Sequence, residues 1–163
     1  MSIKQIIKPL EHLVTIHEAL VAISREKTEI VKEGAVEKLQ SLLIKERKQI
    51  NMLEKAEESR QEAVESWFLE NKLPLTDTTL TRMLEIADNE DGIEELTAIT
   101  TTLTESITSL KQQEQLNKTL LNQSIKFVQL SLDMINPSLK NMNYGTNKQE
   151  PAPMKRSIFD SQA

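Results

Sequence analysis

IEELTAITTTLTESITSLKQQEQLNKTLLNQSIKFVQLSLDMI, residues 93–135, holds one register from end to end. Ile93, Leu96, Thr100, Leu103, Ile107, Leu110, Glu114, Asn117, Leu121, Ser124, Val128, Ser131 and Ile135 follow at alternating steps of three and four. That is the period of a single stripe along a helix, and neither Pro nor Gly interrupts it. At ~1.5 Å per residue such a helix reaches on the order of 65 Å, a length that needs partners along its course. The stripe is polar in its middle, at Glu114 and Asn117. Beyond it Leu116, Leu120, Phe127, Leu130 and Met134 broaden the apolar surface past what a two-helix seam uses. Read one way, these five are ordinary bundle core. Read the other, one side packs at home and this one receives a partner.

The composition agrees with an all-helical chain. Of 163 residues 38% are hydrophobic, 28% charged and only 3% aromatic, with three glycines, the profile of a Leu/Ile-cored bundle in one domain. No apolar run approaches the length of a membrane span, and MSIKQIIKPLEH lacks a secretory layout, so the expected location is cytoplasmic, without membrane insertion. With no cysteine, disulfides, thiolate metal sites and cysteine nucleophiles are excluded. The net charge is −5, and lysines and arginines are interleaved with acids, so the footprint expected of a nucleic-acid binder is missing.

Working outward, Ile3, Ile6, Leu10, Leu13, His17, Leu20, Ser24, Lys27 and Val31 predict a first helix from Ser2 to about Lys32, with Pro9 marking its start or a bend. Past Leu20 the stripe turns polar, unless Val21, Ile23 and Ile30 take over. Gly34 suits a helix C-terminal cap. Val36, Leu39, Leu43, Glu46, Ile50, Leu53, Glu57, Arg60, Val64 and Trp67 then predict a second helix to about Asn71. Its far half is charged on most sides and is expected to be lightly packed. Lys72-Leu73-Pro74-Leu75 ends it. Thr76 or Asp77 is the expected N-cap of a short third helix holding Leu80, Met83, Leu84 and Ala87 on one face. Asp91 with Glu94 has the form of a capping box for the long helix. Against that helix stand the six threonines of Thr97–Thr108, which favour strands; Leu96 and Leu110 decide for helix, because only three-and-four steps join them to the rest.

The fold class expected is therefore all-α: an elongated antiparallel helical bundle or coiled coil of three long helices and one short one over residues 1–136. Residues 137–163 are read as a flexible partner-binding tail. Its Asn, Gly, Pro, Lys and Ser content cannot bury enough surface to order alone. Tyr144 lies in it, and the apolar pair Ile158 and Phe159 is either a docking motif or a solvated end.

No catalytic, cofactor or metal site is predicted. The Glu-x-x-His pairs of di-iron bundles are absent, since Pro9 and Val14 precede His12 and His17 by three. The acidic loop before Gly92 lacks the first and last ligands of a calcium loop, having Ala87 and Ala98 there. Glu54, Glu57, Glu58, Glu62 and Glu65 mix with Lys55 and Arg60 as a solvated face. An enzyme is not expected.

Three patterns resemble the FlgN family of flagellar export chaperones. GAVEKLQSLLIKERKQINMLEKAEESRQ at 34–61 is similar to that family's spaced leucines and acids leading to a Glu-x-x-Arg step, here Glu57 to Arg60. LNKTLLNQSIKFVQLSLDMI at 116–135 resembles its late-helix pattern, matched by Asn117, Leu120, Leu121, Ser124, Val128, Ser131 and Leu132. The tail is similar in Tyr144-Gly145 and in Ser157-Ile158-Phe159-Asp160. One departure is Glu114, where the family often has a second asparagine.

The resemblance implies a non-enzymatic cytoplasmic chaperone that needs no cofactor. It would bind the hook-filament junction proteins FlgK and FlgL, shield their terminal helices and bring them to the export gate protein FlhA. Leu116, Asn117, Leu120, Phe127, Leu130 and Met134 are then the expected client contacts, with Tyr144, Ile158 and Phe159 as a second contact. The alternative is a self-associating structural coiled coil, a homo-oligomer that the strict register also fits.

Overall fold

The computed structural model describes residues 2–135, which form α1 (Ile3–Glu33), α2 (Val36–Glu70), α3 (Leu80–Ile86) and α4 (Ile93–Ile135). Three long helices and one short one, with no strand among the described residues, make the all-α fold that the periodicity predicts. The chain divides into two compact units, 1–122 and 123–163, with the division inside α4. Tyr144, Ile158, Phe159 and the rest of the expected tail, 137–163, lie outside the described residues.

In the first unit α1 begins at Ser2, whose backbone N–H donates to Gln5 Oε1 at 3.3 Å. Pro9 lies inside the helix and does not mark its start. Gly34 closes α1 at φ +69°, donating its N–H to the carbonyls of Ile30 and Val31, a left-handed cap that a side chain would strain. Only Gly34 and Ala35 separate α1 from α2, so the two return on each other as a hairpin.

α4 runs in the same direction as α1. Gly92 sits so close to Ile3 that an added Cβ would lie 3.4 Å from the Ile3 methyl, and at the other end Thr28 is hydrogen-bonded to Asn117. Both pairs differ by 89 in number, an offset that sets Glu33, the last residue of α1, level with Asn122. The α1–α4 seam therefore ends where the first unit ends.

The apolar core gathers at one end of this unit. Ile3, Ile6, Leu10, Leu13, Ile16 and Leu20 of α1 meet Ala56, Val64, Trp67 and Phe68 of α2, Met83 and Ala87 around α3, and Leu96 and Leu103 of α4. This reverses the packing expected for α2. Its far half is the packed half, and its first half buries fully only Leu42, while Val36, Leu43, Ile44 and Ile50 are exposed. The least exposed α2 stripe runs Leu39, Leu42, Glu46, Gln49, Leu53, Ala56, Arg60, Ala63, Trp67. It keeps Leu39, Glu46, Leu53, Arg60 and Trp67 of the predicted stripe and puts Leu42, Gln49, Ala56 and Ala63 inward where Leu43, Ile50, Glu57 and Val64 were expected, with Val64 buried beside them. Arg60 folds back on Glu57, at 2.5 and 2.9 Å, so the Glu-x-x-Arg step is an ion pair along one helix.

The threonine-rich turns of α4 are helical for a local reason. The hydroxyls of Thr97, Thr100, Thr101, Thr102, Thr104 and Thr108 each donate to the carbonyl four residues earlier, at 2.7 to 3.1 Å. Each β-branched side chain thus satisfies its hydroxyl without leaving the helix. Two caps differ from expectation. Thr79, not Thr76 or Asp77, caps α3 by accepting from Arg82 N at 3.2 Å. Asp91 pairs with Lys4 Nζ at 2.9 Å, tying the loop before α4 to the first turn of α1.

His17 lies half-buried on α1, and its Nδ1 is enclosed without a hydrogen-bond partner among the described residues. Burial pushes its pKa below the usual imidazole value of 6.5, with Glu57 opposing. The fold favours neutral imidazole, so this residue's contribution is complete above the unfolded value and declines as pH falls through 6.5. His17→Gln is expected to narrow the difference in melting temperature between pH 7.5 and 5.5 relative to wild type; an unchanged difference refutes the assignment.

Candidate partner-binding surface

Two regions bear on partner binding: a polar layer in the first unit, and the α4 residues that form the described part of the second. In the polar layer Asn117, almost fully buried, donates to the Ser24 carbonyl at 2.8 Å and to Ser24 Oγ at 3.0 Å, and accepts from the Thr28 hydroxyl. Ser24 Oγ donates to Glu114 Oε1 at 2.7 Å, and Gln113 donates to Thr28. Lys27, also buried, reaches Glu46 of α2 at 2.5 Å and Glu114 at 3.3 Å. Three helices are joined through side chains in a layer that pairs only in one register, the best-attested use of polar groups in such seams.

Asn117, expected as a client contact, is therefore occupied at home. Glu46 and Glu114 together supply the negative charge that accompanies buried Lys27. Asn117→Ala is expected to cost about 1–3 kcal/mol in urea unfolding, because it strands the Ser24 and Thr28 groups, and to leave partner affinity of the folded protein unchanged. A stable variant with weakened partner binding would return Asn117 to the recognition surface.

The remaining expected residues fall in both units. In the first, Leu116 is exposed and Leu120 half-buried. In the second, 123–135 carry three stripes, each at three-and-four spacing. Phe127, Leu130 and Met134 form one, exposed to 70% at Phe127 and 73% at Met134. Val128, Leu132 and Ile135 form another, also exposed, to 73% at Ile135. Lys126, Gln129 and Asp133 make the polar third. Apolar side chains are thus exposed along two sides of the helix, with Ser124 and Ser131 between them, more than an ordinary amphipathic helix leaves to water.

Val128 and Ile135 were assigned to the home stripe by their register, and the structure leaves them uncovered. The signal that would have found them is the mismatch in length between a first helix ending near residue 32 and a last helix of 43 residues.

This surface is apolar and almost uncharged. Only Lys126 and Asp133 are charged within 123–135. The grooves of the first unit are open ones, the α1–α4 groove being about 380 Å³ and lined by Glu18, Arg25, Thr102, Glu105 and serines. Among the described residues no cluster of His, Asp and Glu is placed to hold a metal, and no helix is long and apolar enough to cross a membrane.

Comparison with known proteins gives a consistent result. The model of the FlgN protein family matches residues 1–152. YvyG of Bacillus subtilis, itself uncharacterised, is 32% identical over 167 aligned positions that take in the whole of both chains. No solved structure matches. With nearly its whole length matched by the family model, and with the Glu57–Arg60 step and the late-helix pattern in place, this chain belongs to the FlgN family of flagellar export chaperones.

Proposed function

We propose that the protein is a cytoplasmic, non-enzymatic export chaperone, working without a cofactor, that binds the hook-filament junction proteins FlgK and FlgL. It holds them from aggregation and premature assembly and delivers them to the export gate protein FlhA. The observation that carries this reading is the exposed stripe of Phe127, Leu130 and Met134 in a chain of this family. An amphipathic client helix laid along that stripe buries what each partner otherwise exposes to water, the helix-in-groove mode. A client that orders on binding loses conformational entropy, so moderate affinity is expected.

Self-association is the second reading. Val128 and Ile135 continue the seam register and, with Leu132 beside them, are exposed, as a coiled-coil contact with a second copy requires. A calorimetric titration with the C-terminal segment of FlgK, with light scattering on each mixture, separates the two. Saturable heat and a complex of defined mass support the chaperone. No heat, with a mass that rises with protein concentration, replaces it by the self-associating coiled coil.

A further inference from the structure

The first half of α2 carries a surface that the client reading does not use. Val36 is 65% exposed and Ile44 74%, with Leu43 and Ile50 also in solvent, on a helix whose opposite side already packs through Leu42. Between Leu39 and Leu53 the basic residues are Arg47 and Lys48, exposed beside these anchors with no ion-pair partner among the described residues, and Lys45, which lines the α1–α2 groove with Glu26, Glu29 and Glu33. The only acid in that stretch, Glu46, is turned inward onto Lys27. A chain of net charge −5 whose basic residues are elsewhere interleaved with acids thus presents, between Leu43 and Ile50, an apolar patch beside the cations of Arg47 and Lys48, with the exposed acids Glu37 and Glu54 at its two ends.

We infer that this face docks an acidic amphipathic helix of a partner protein. Arg47 lies one turn from both Leu43 and Ile50, and Lys48 one turn from Ile44, so the charges flank the apolar anchors at the spacing that carboxylates on an opposing helix meet. A protein helix fits better than a lipid surface. Residues 36–53 include no aromatic anchor, and two cations attract an anionic leaflet only weakly, at about 1 kcal/mol each. The inference is independent of the stripe of Phe127, Leu130 and Met134, with which it shares no residue.

The test uses the full chain and a designed helical peptide of about 20 residues with leucines at three-and-four spacing and flanking glutamates, against the same peptide with lysines. Amide signals of residues 36–52 are expected to shift with the acidic peptide only, and less at high salt. Arg47→Glu with Lys48→Glu is expected to lower the affinity roughly tenfold or more, Ile44→Asp to abolish it, and Phe127→Asp to leave it unchanged. Equal shifts with both peptides, no shifts with either, or loss of binding in Phe127→Asp would overturn the inference. So would retention on vesicles of anionic phospholipid through the same residues, or signals at 36–52 that move with protein concentration alone.

Discussion

Phe127→Asp is expected to abolish binding of the FlgK segment while the chain keeps its helix content and its melting temperature. Phe127 is 70% exposed, so removing its ring takes little buried area from the free protein. In a complex the same position becomes desolvated, and an unpaired carboxylate there costs roughly 2–7 kcal/mol or more. Aromatic anchors of this kind carry a disproportionate share of binding energy. Phe68→Asp is the control. It places the same change at a fully buried position and is expected to unfold the protein. If Phe127→Asp unfolds the chain, Phe127 is core; if the variant folds and binds as wild type, the client docks elsewhere.

Trp67→Ala is expected to cost about 3–5 kcal/mol in urea unfolding followed by circular dichroism, a large share of the roughly 5–15 kcal/mol typical of a domain. Trp67 is 1% exposed and meets the Phe68 ring edge-on, with centroids 5.3 Å apart and planes at 77°. It belongs to a core cluster with members on or beside all four helices, and the cost depends on how far that cluster can close over the void. Leu43→Ser, in the exposed first half of the same helix, is expected to change stability by no more than about 0.5 kcal/mol. Comparable losses at the two positions would mean that the packing of α2 is the reverse of what is described.

The contrast between Trp67 and Leu43 shows where sequence reading fails. Both lie on the predicted α2 stripe, yet one is core and the other solvent. Glu57, Glu58 and Glu62 made the far half look unsupported, although a helix needs only one packed side and those acids occupy the others. Small residues completed the disguise, since Ala56 and Ala63 read weakly as hydrophobic and pack closely. The candidate surface divides in a similar way. Phe127, Leu130 and Met134 were legible as a second stripe because their spacing is local. The burial of Asn117 was not, because its partners Ser24 and Thr28 are 93 and 89 residues away.

What the sequence by itself determined is the set of helices. The bounds of α4, the Gly34 cap and the all-α class follow from periodicity and capping, which are properties of residues within a turn or two of one another. Only the tertiary structure decided which side of each helix is covered and where coverage ends. The α1–α4 offset closes their seam at Asn122, the Ser24–Lys27–Asn117 layer holds that register, and the first half of α2 stays open, with Arg47 and Lys48 unpaired among the described residues. Those outcomes depend on how far a neighbouring helix reaches and which side chains it places opposite, and no local pattern carries that information.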